Sequence, residues 1–331
     1  MEVKIYNYQY SSPFAPHIEN FIRLKRNAGF PYNSSARILR VFDEMIMDKF
    51  PDSRYFTKEI VDAWISLKPN EHPNGLLRRM TPVRGLSQYM YKTGIGDYII
   101  PGHIPDHQIK YEAHIYTKDE LISFFRAADN IPYSSFSPYK CYIIPVIFRL
   151  YFLCGLRLSE GIHIKREDIN LNTGCITISE SKSWKLRKVY VSQELLTMLR
   201  EYDEIIDNKM PDRRCFFPTF NGDGFIAKCT IGNWFHEIEK TAFKDIPLVG
   251  NKRTTHCFRH TFATERINRW IEDDEVNVNV MYPYLSQYMG HCHFEDTDYY
   301  LKLVASFYPE INKRMAEVNS NVLPEVDEYE E

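Results

Sequence analysis

Long apolar runs are missing from this chain. The longest, CYIIPVIFRLYFLCG at 141–155, carries Pro145 and Arg149 and falls short of the roughly 20 residues a membrane-spanning helix needs, so it reads as a buried core helix. The opening MEVKIYNYQY lacks the basic-then-apolar design of a secretion signal. Paired cysteines are missing as well: there are seven, an odd number, and none sits in a Cys-x-x-Cys. That argues against a disulfide framework and for a reducing, cytoplasmic setting. A strong excess of one charge is also absent. The net charge is −3, which taken alone argues mildly against a nucleic-acid partner. It is unevenly spread, at +4 over residues 1–110 and −7 over 111–331, and five of the acids lie in the last seven residues, EVDEYEE. No internal repeat is found, and low complexity is confined to that tail.

With 331 residues, 44% of them hydrophobic and 26% charged, there is material for sizeable cores and a prior for two domains. The first hundred residues read as helices. Ile18, Phe21 and Ile22 recur at helical spacing before Gly29 and Pro31, and Ile38, Leu39, Phe42, Met45 and Ile46 follow Ser34 and Ser35. A third helix opens at Thr57, and a fourth lies between Asn74 and Gly94, where Pro82 starts or kinks it. Broken periodicity and two prolines between Gly94 and Thr117 place the linker at 105–116, between a helical domain at 1–104 and a second domain at 117–324, with 325–331 as the acidic tail. In the second domain Thr117 and Glu120 make a capping-box pattern. CITIS (175–179) and KVYVS (188–192) read as two strands, and helices resume from Gln193. The fold class is mainly α with a small β-sheet.

The stretch THCFRHTFATERI (255–267) puts His256, Arg259 and His260 on one helix face, at i, i+3 and i+4. A metal is one reading of such a face. The zinc motif His-Glu-x-x-His needs glutamate where Cys257 stands, and Arg259 would oppose a cation, so no metal is expected. Phosphate fits better, because arginine offers a permanently charged planar fork and histidine a donor one turn away. Basic clusters at Arg23-Lys25-Arg26, Arg78-Arg79-Arg84, Lys182-Lys185-Arg187-Lys188 and Lys252-Arg253-Arg259 each have a bland alternative as solvated faces.

GLRLSE (155–160), HCFRHTFAT (256–264), and MGH (289–291) followed by DTDYY (296–300) resemble, in order and spacing, the arginine box, the His-x-x-Arg box, the Gly-His box and the nucleophile of the tyrosine recombinase (phage integrase) family. The resemblance implies a helical core-binding domain and a catalytic domain closing as a clamp on duplex DNA, and strand exchange without metal, cofactor or ATP. Tyr300, ahead of its neighbour Tyr299, is implied as the nucleophile forming a 3′-phosphotyrosyl bond. Arg157 and Arg259 would hold the non-bridging oxygens, with His256 and His291 on the same phosphate. Lys182, in the turn between the strands and with Lys185 and Lys188 as rivals, would protonate the leaving 5′ oxygen. Glu160 would orient Arg157, and His260 would support the site from behind.

DNA contacts are expected from Lys25, Arg26, Arg78, Arg79, Arg84, Lys185, Arg187, Lys252 and Arg253. The family pattern further implies double-stranded DNA as partner, a synapsed homotetramer docked through ASFYPEINKRMAEV (305–318), accessory DNA-bending proteins, a mobile-element role and a nucleoid-associated cytoplasmic location. A type IB topoisomerase-like relaxase and a non-catalytic DNA-binding regulator are the alternatives. The acidic segment WIEDDEVNVNV (270–280) departs from the shorter family members.

Overall fold

The structure is a computed structural model describing residues 5–66, 69, 71–101, 112–179, 186–219, 222, 224–273, 275–291, 293 and 295–307. Two units divide the chain, Met1–Tyr111 and Glu112–Glu331.

In the first unit the apolar stripes read from the sequence become the inner faces of α1 (Ala15–Asn27), α2 (Asn33–Lys49), α3 (Lys58–Ile65) and α4 (Pro73–Lys92). Ile18, Phe21 and Ile22 of α1, Leu39, Phe42 and Ile46 of α2, and Ile60, Val61 and Trp64 of α3 are all buried, as a 3.6-residue period requires. Phe42 and Trp64 meet edge to face at 5.1 Å. Pro82 neither starts α4 nor ends it. Its ring forfeits a backbone hydrogen bond, a cost of about 3 kcal/mol. Burial of Leu76, Met80, Val83, Leu86 and Met90 along the same helix offsets that at about 1.5–3 kcal/mol each. Arg79, expected to reach DNA, instead points inward. It is bonded to Glu71, to the Ser66 carbonyl and to the Trp64 carbonyl, and lies over the Trp64 ring.

The second unit holds α5 (Lys118–Asp129), α6 (Lys140–Leu153), α7 (Leu158–Ile162), β1 (Ile169–Asn170), β2 (Cys175–Ile178), β3 (Arg187–Tyr190), α8 (Gln193–Asp207), α9 (Lys228–Ala242), α10 (Thr255–Glu272), α11 (Val278–Met289) and α12 (Glu295–Phe307). The capping box forms as read: Glu120 N donates to Thr117 Oγ1 and Thr117 N to Glu120 Oε2. The apolar run 141–155 becomes α6, buried along Ile143, Ile144, Val146, Ile147, Phe148, Leu150 and Tyr151. The sheet is antiparallel, in the order β1-β2-β3, with Ile176 opposite Val189 and Ile178 opposite Arg187. β1, a two-residue strand, was not visible in the sequence. Of the acidic segment 270–280, residues 270–272 end α10 and 278–280 begin α11.

Residues 112–116 correct the linker expected to run to 116. Ala113 and Ile115 are buried in the same cluster as Tyr300, Leu303 and Val304. Tyr116 stacks on Phe258 at 4.6 Å, and its backbone N–H donates to Thr261 Oγ1. Arg253, another expected DNA contact, is likewise buried: it pairs with Glu120, which also accepts from His114, and lies over Phe243 at 4.3 Å. Among the described residues no helix is long and apolar enough to cross a membrane.

Candidate active site

Helix α10 aims the site. Phe258 is locked in an aromatic core with Phe124 (4.9 Å) and Tyr116, while Phe262, Ala263 and Ile267 pack toward α11 and α12. With both neighbouring faces anchored, the helix cannot rotate, and Arg259 is held between them, 1% exposed. Its guanidinium donates to the carbonyls of Gly155 (2.6 Å) and Met289 (2.5 Å) and to His291 Nε2 (3.0 Å). Burial pulls its pKa down to about 10, which leaves it cationic at neutral pH.

Two glycines bring the other chain segments in. Gly155, φ +59, turns the chain out of α6; a side chain there would strike the Phe262 ring at 2.6 Å. Gly290, φ +66, ends α11 in the left-handed conformation, and a Cβ would sit 3.0 Å from Arg187 Nη1 and 3.3 Å from Arg157 Nη1. Arg157, at the start of α7, donates through Nη2 to the Gly290 carbonyl (2.7 Å) and through Nη1 to Glu160 Oε1 (2.8 Å).

Glu160 is fully enclosed. Burial alone would raise its pKa, but hydrogen bonds and charge from Arg187, then the Arg157 backbone N–H and the Arg259 charge, hold it down at about 2. It is an anion at any working pH. Arg187 is therefore a correction to the expected DNA-contacting set. It forks onto both Glu160 oxygens (2.8 and 2.7 Å) and donates to the Tyr288 carbonyl (2.7 Å). A signal for this existed in the sequence: Arg187 and Val189 share one face of β3, and Val189 is core.

His291 links the boxes. Arginine can only donate, so His291 Nε2 accepts from Arg259, and Nδ1 carries the proton donated to Thr297 Oγ1 at 2.7 Å. Burial, then Arg259 and Arg157, lowers its pKa to about 4. Thr297, wholly buried, lies within DTDYY but was given no role from the sequence. The Tyr300 ring lies nearly parallel to His291, with centroids 5.8 Å apart and planes 13° apart. Burial raises the Tyr300 pKa, opposed by the charge and a hydrogen bond from Arg259 and by Arg157. Tyr299 faces elsewhere: its hydroxyl accepts from the Ala113 backbone N–H at 2.7 Å.

His256 and His260 meet edge to face at 4.6 Å, and His260 also touches both tyrosine rings at 5.5 Å. His256 is exposed at the mouth of the site. Surrounding protein, then Arg259 and Arg157, draws its pKa to about 4, an effect that water on its open side screens. Among the described residues no three His, Cys, Asp or Glu side chains gather as metal ligands. A cavity of about 930 Å³ opens beside the cluster, lined in part by Arg187, Lys188, Tyr284, Gln287 and His291.

Of the expected residues, Arg157, Glu160, His256, Arg259, His260, His291 and Tyr300 are brought together in one unit. Lys182 and Lys185 lie outside the described residues, as does most of 305–318. Arg78 and Lys252 are exposed; Lys25 and Arg84 are partly so. Arg26 is committed to the Tyr6 carbonyl and Asn7.

Residues 115–306 match the model of the Phage integrase family. A putative integrase/recombinase of Sinorhizobium fredii, y4rB, is 25% identical to the chain over 92% of it and 97% of the relative. The tyrosine recombinase XerA of Pyrococcus furiosus is 27% identical over 51% of the chain and 53% of its own length. Among solved structures, the XerH site-specific recombinase bound to difH substrate, a pre-cleavage complex, aligns with a TM-score of 0.63 at 19% identity over 92% of each chain. A lambda integrase dimer bound to a COC' core site aligns at 0.62 and 13% identity, over 86% of this chain and 94% of that one. At these identities the structural likeness speaks for the fold.

Proposed function

The chain belongs to the phage integrase family, and on that premise we propose how it works: it cleaves and rejoins double-stranded DNA as a site-specific tyrosine recombinase, with Tyr300 as the attacking group. The observation that carries this is the convergence of Arg157, Arg259, His291 and Tyr300, from four separate stretches of sequence, on one point.

In the proposed reaction the Tyr300 oxygen forms a bond to the scissile phosphorus as the bond from phosphorus to the 5′ oxygen breaks. The phenol gives up its proton and the departing 5′ oxygen takes one. The number of phosphoester bonds is conserved, so rejoining runs the same step backwards without an energy source. Arg157 and Arg259 stabilise the charge that grows on the phosphate oxygens. Arg259 also lies against the Tyr300 hydroxyl, where it favours the phenolate over the phenol. The assignment of Lys182 as proton donor to the 5′ oxygen rests on the family resemblance. Exposed Arg78, Lys252 and Lys188 supply phosphate contacts along the duplex, and a homotetramer on DNA, helped by DNA-bending proteins, is the assembly proposed for strand exchange on a mobile element.

Nicked suicide duplexes drawn from the DNA flanking its own gene test this. The wild type should accumulate a covalent protein–DNA adduct that maps to Tyr300, the Tyr300→Phe variant none, and Tyr299→Phe should still form it. An adduct on Tyr299, or none at all with DNA binding intact, overturns the proposal.

A further inference from the structure

We infer that Arg187 is a positioning residue which sets the charge that the site presents to the phosphate; the inference rests on the recombinase reading above. Arg187 sits at the start of β3, buried, and its Nε, Nη1 and Nη2 all donate inside the protein: Nη1 and Nη2 to the two oxygens of Glu160, Nε to the Tyr288 carbonyl. It thereby ties β3 to α7 and to the end of α11, directly before Gly290 and His291.

The electrostatic consequence follows from counting charges. Arg157, Arg187 and Arg259 surround a single carboxylate, Glu160, and the Glu160 pKa near 2 keeps that carboxylate ionised. The cluster therefore carries +2. A phosphodiester brings one negative charge and its pentavalent transition state two, so a pocket of +2 matches the transition state better than the ground state. Because Arg187 takes both oxygens of Glu160, the charge on Arg157 remains available to the substrate. Without Arg187 the pocket falls to +1, because the buried charge of Glu160 then draws on Arg157 and Arg259 alone. Arg187 therefore acts on the rate of cleavage rather than on duplex binding.

The test is single-turnover cleavage of the nicked duplex at saturating protein, with DNA affinity read by fluorescence anisotropy, for R187Q, R187K and the double variant R187Q/E160Q. R187Q should slow cleavage on the order of tenfold to a hundredfold, short of the 10²–10³ that loss of a direct donor costs, with an unchanged dissociation constant. R187Q/E160Q should recover most of the lost rate, because Arg157 and Arg259 facing a neutral glutamine restore +2. A merely structural arginine predicts the opposite, since the double variant removes still more of the network. R187K keeps the charge and should stay within about tenfold of wild type. The inference is overturned if R187Q loses affinity and salt dependence at an unchanged saturated rate, if the double variant is no faster than R187Q, or if a folded R187K is as inert as Y300F. If R187Q does not fold, R187K alone decides. A wild type that forms no adduct overturns the recombinase reading, and this inference with it; a wild type that does, with Arg187 variants behaving otherwise than stated, overturns this inference alone.

Discussion

Replacing His260 with glutamine should flatten the dependence of stability on pH between 7 and 5. The imidazole is 9% exposed, and its Nδ1 is enclosed without a hydrogen-bond partner among the described residues. Burial, then the charges of His256 and Arg259, lowers its pKa to about 3. The folded state thus refuses a proton that the unfolded chain accepts below about 6.5. The stability this contributes is complete above the unfolded value and is lost as pH falls from there toward about 3. An unfolded histidine is about one-quarter protonated at pH 7 and almost fully at pH 5, which integrates to about 2 kcal/mol. His256 and His291 shift in the same direction but are present in both proteins, so the difference between wild type and H260Q isolates one group. Urea unfolding at the two pH values, followed by amide exchange within α10, measures it. Wild type should lose about 2 kcal/mol more than the variant on acidification. Parallel losses would refute the assignment of a buried, neutral imidazole behind the tyrosine.

Gly290→Ala should cost about 1–2 kcal/mol of backbone strain and push the Arg157 and Arg187 guanidiniums apart, slowing adduct formation while DNA affinity holds. Thr297→Val strands the His291 Nδ1–H without an acceptor, a penalty of about 1–3 kcal/mol, and frees the ring to take the tautomer that opposes Arg259. Cleavage should fall roughly tenfold to a hundredfold, with a changed imidazole nitrogen NMR signature. Arg78 and Arg79, adjacent in sequence, should separate cleanly: Arg78→Gln should lower the slope of log affinity against log salt by about one, whereas Arg79→Gln should leave that slope alone and destabilise the first unit by about 3–5 kcal/mol.

The helices and the clustered boxes were legible because each depends on local periodicity or on short motifs. Ile18, Phe21 and Ile22 announce an inner face within one turn, and the order of Arg157, His256-x-x-Arg259, Gly290-His291 and Tyr300 survives without knowledge of the fold. What stayed hidden depends on partners far away in sequence. Arg253 looks like a surface cation until Glu120, 133 positions earlier, comes to meet it. Arg79 needs the Trp64 and Ser66 carbonyls. Arg187 belongs to a basic run whose charge suggested solvent, and the alternation of β3 outweighed that suggestion. Two-residue β1 has no periodicity to read, and Thr297 is an ordinary threonine until the imidazole of His291 reaches it.

The short segment at 112–116 has a practical corollary for anyone trimming this protein. A fragment begun at Thr117, where the capping box invites a cut, would remove Ala113, Ile115 and Tyr116 and lay bare the apolar underside of α12 beneath Leu303 and Val304. It should be sticky and poorly soluble even though every residue assigned to the chemistry is retained. One begun upstream of Glu112 keeps that lining and is the better starting point for expression.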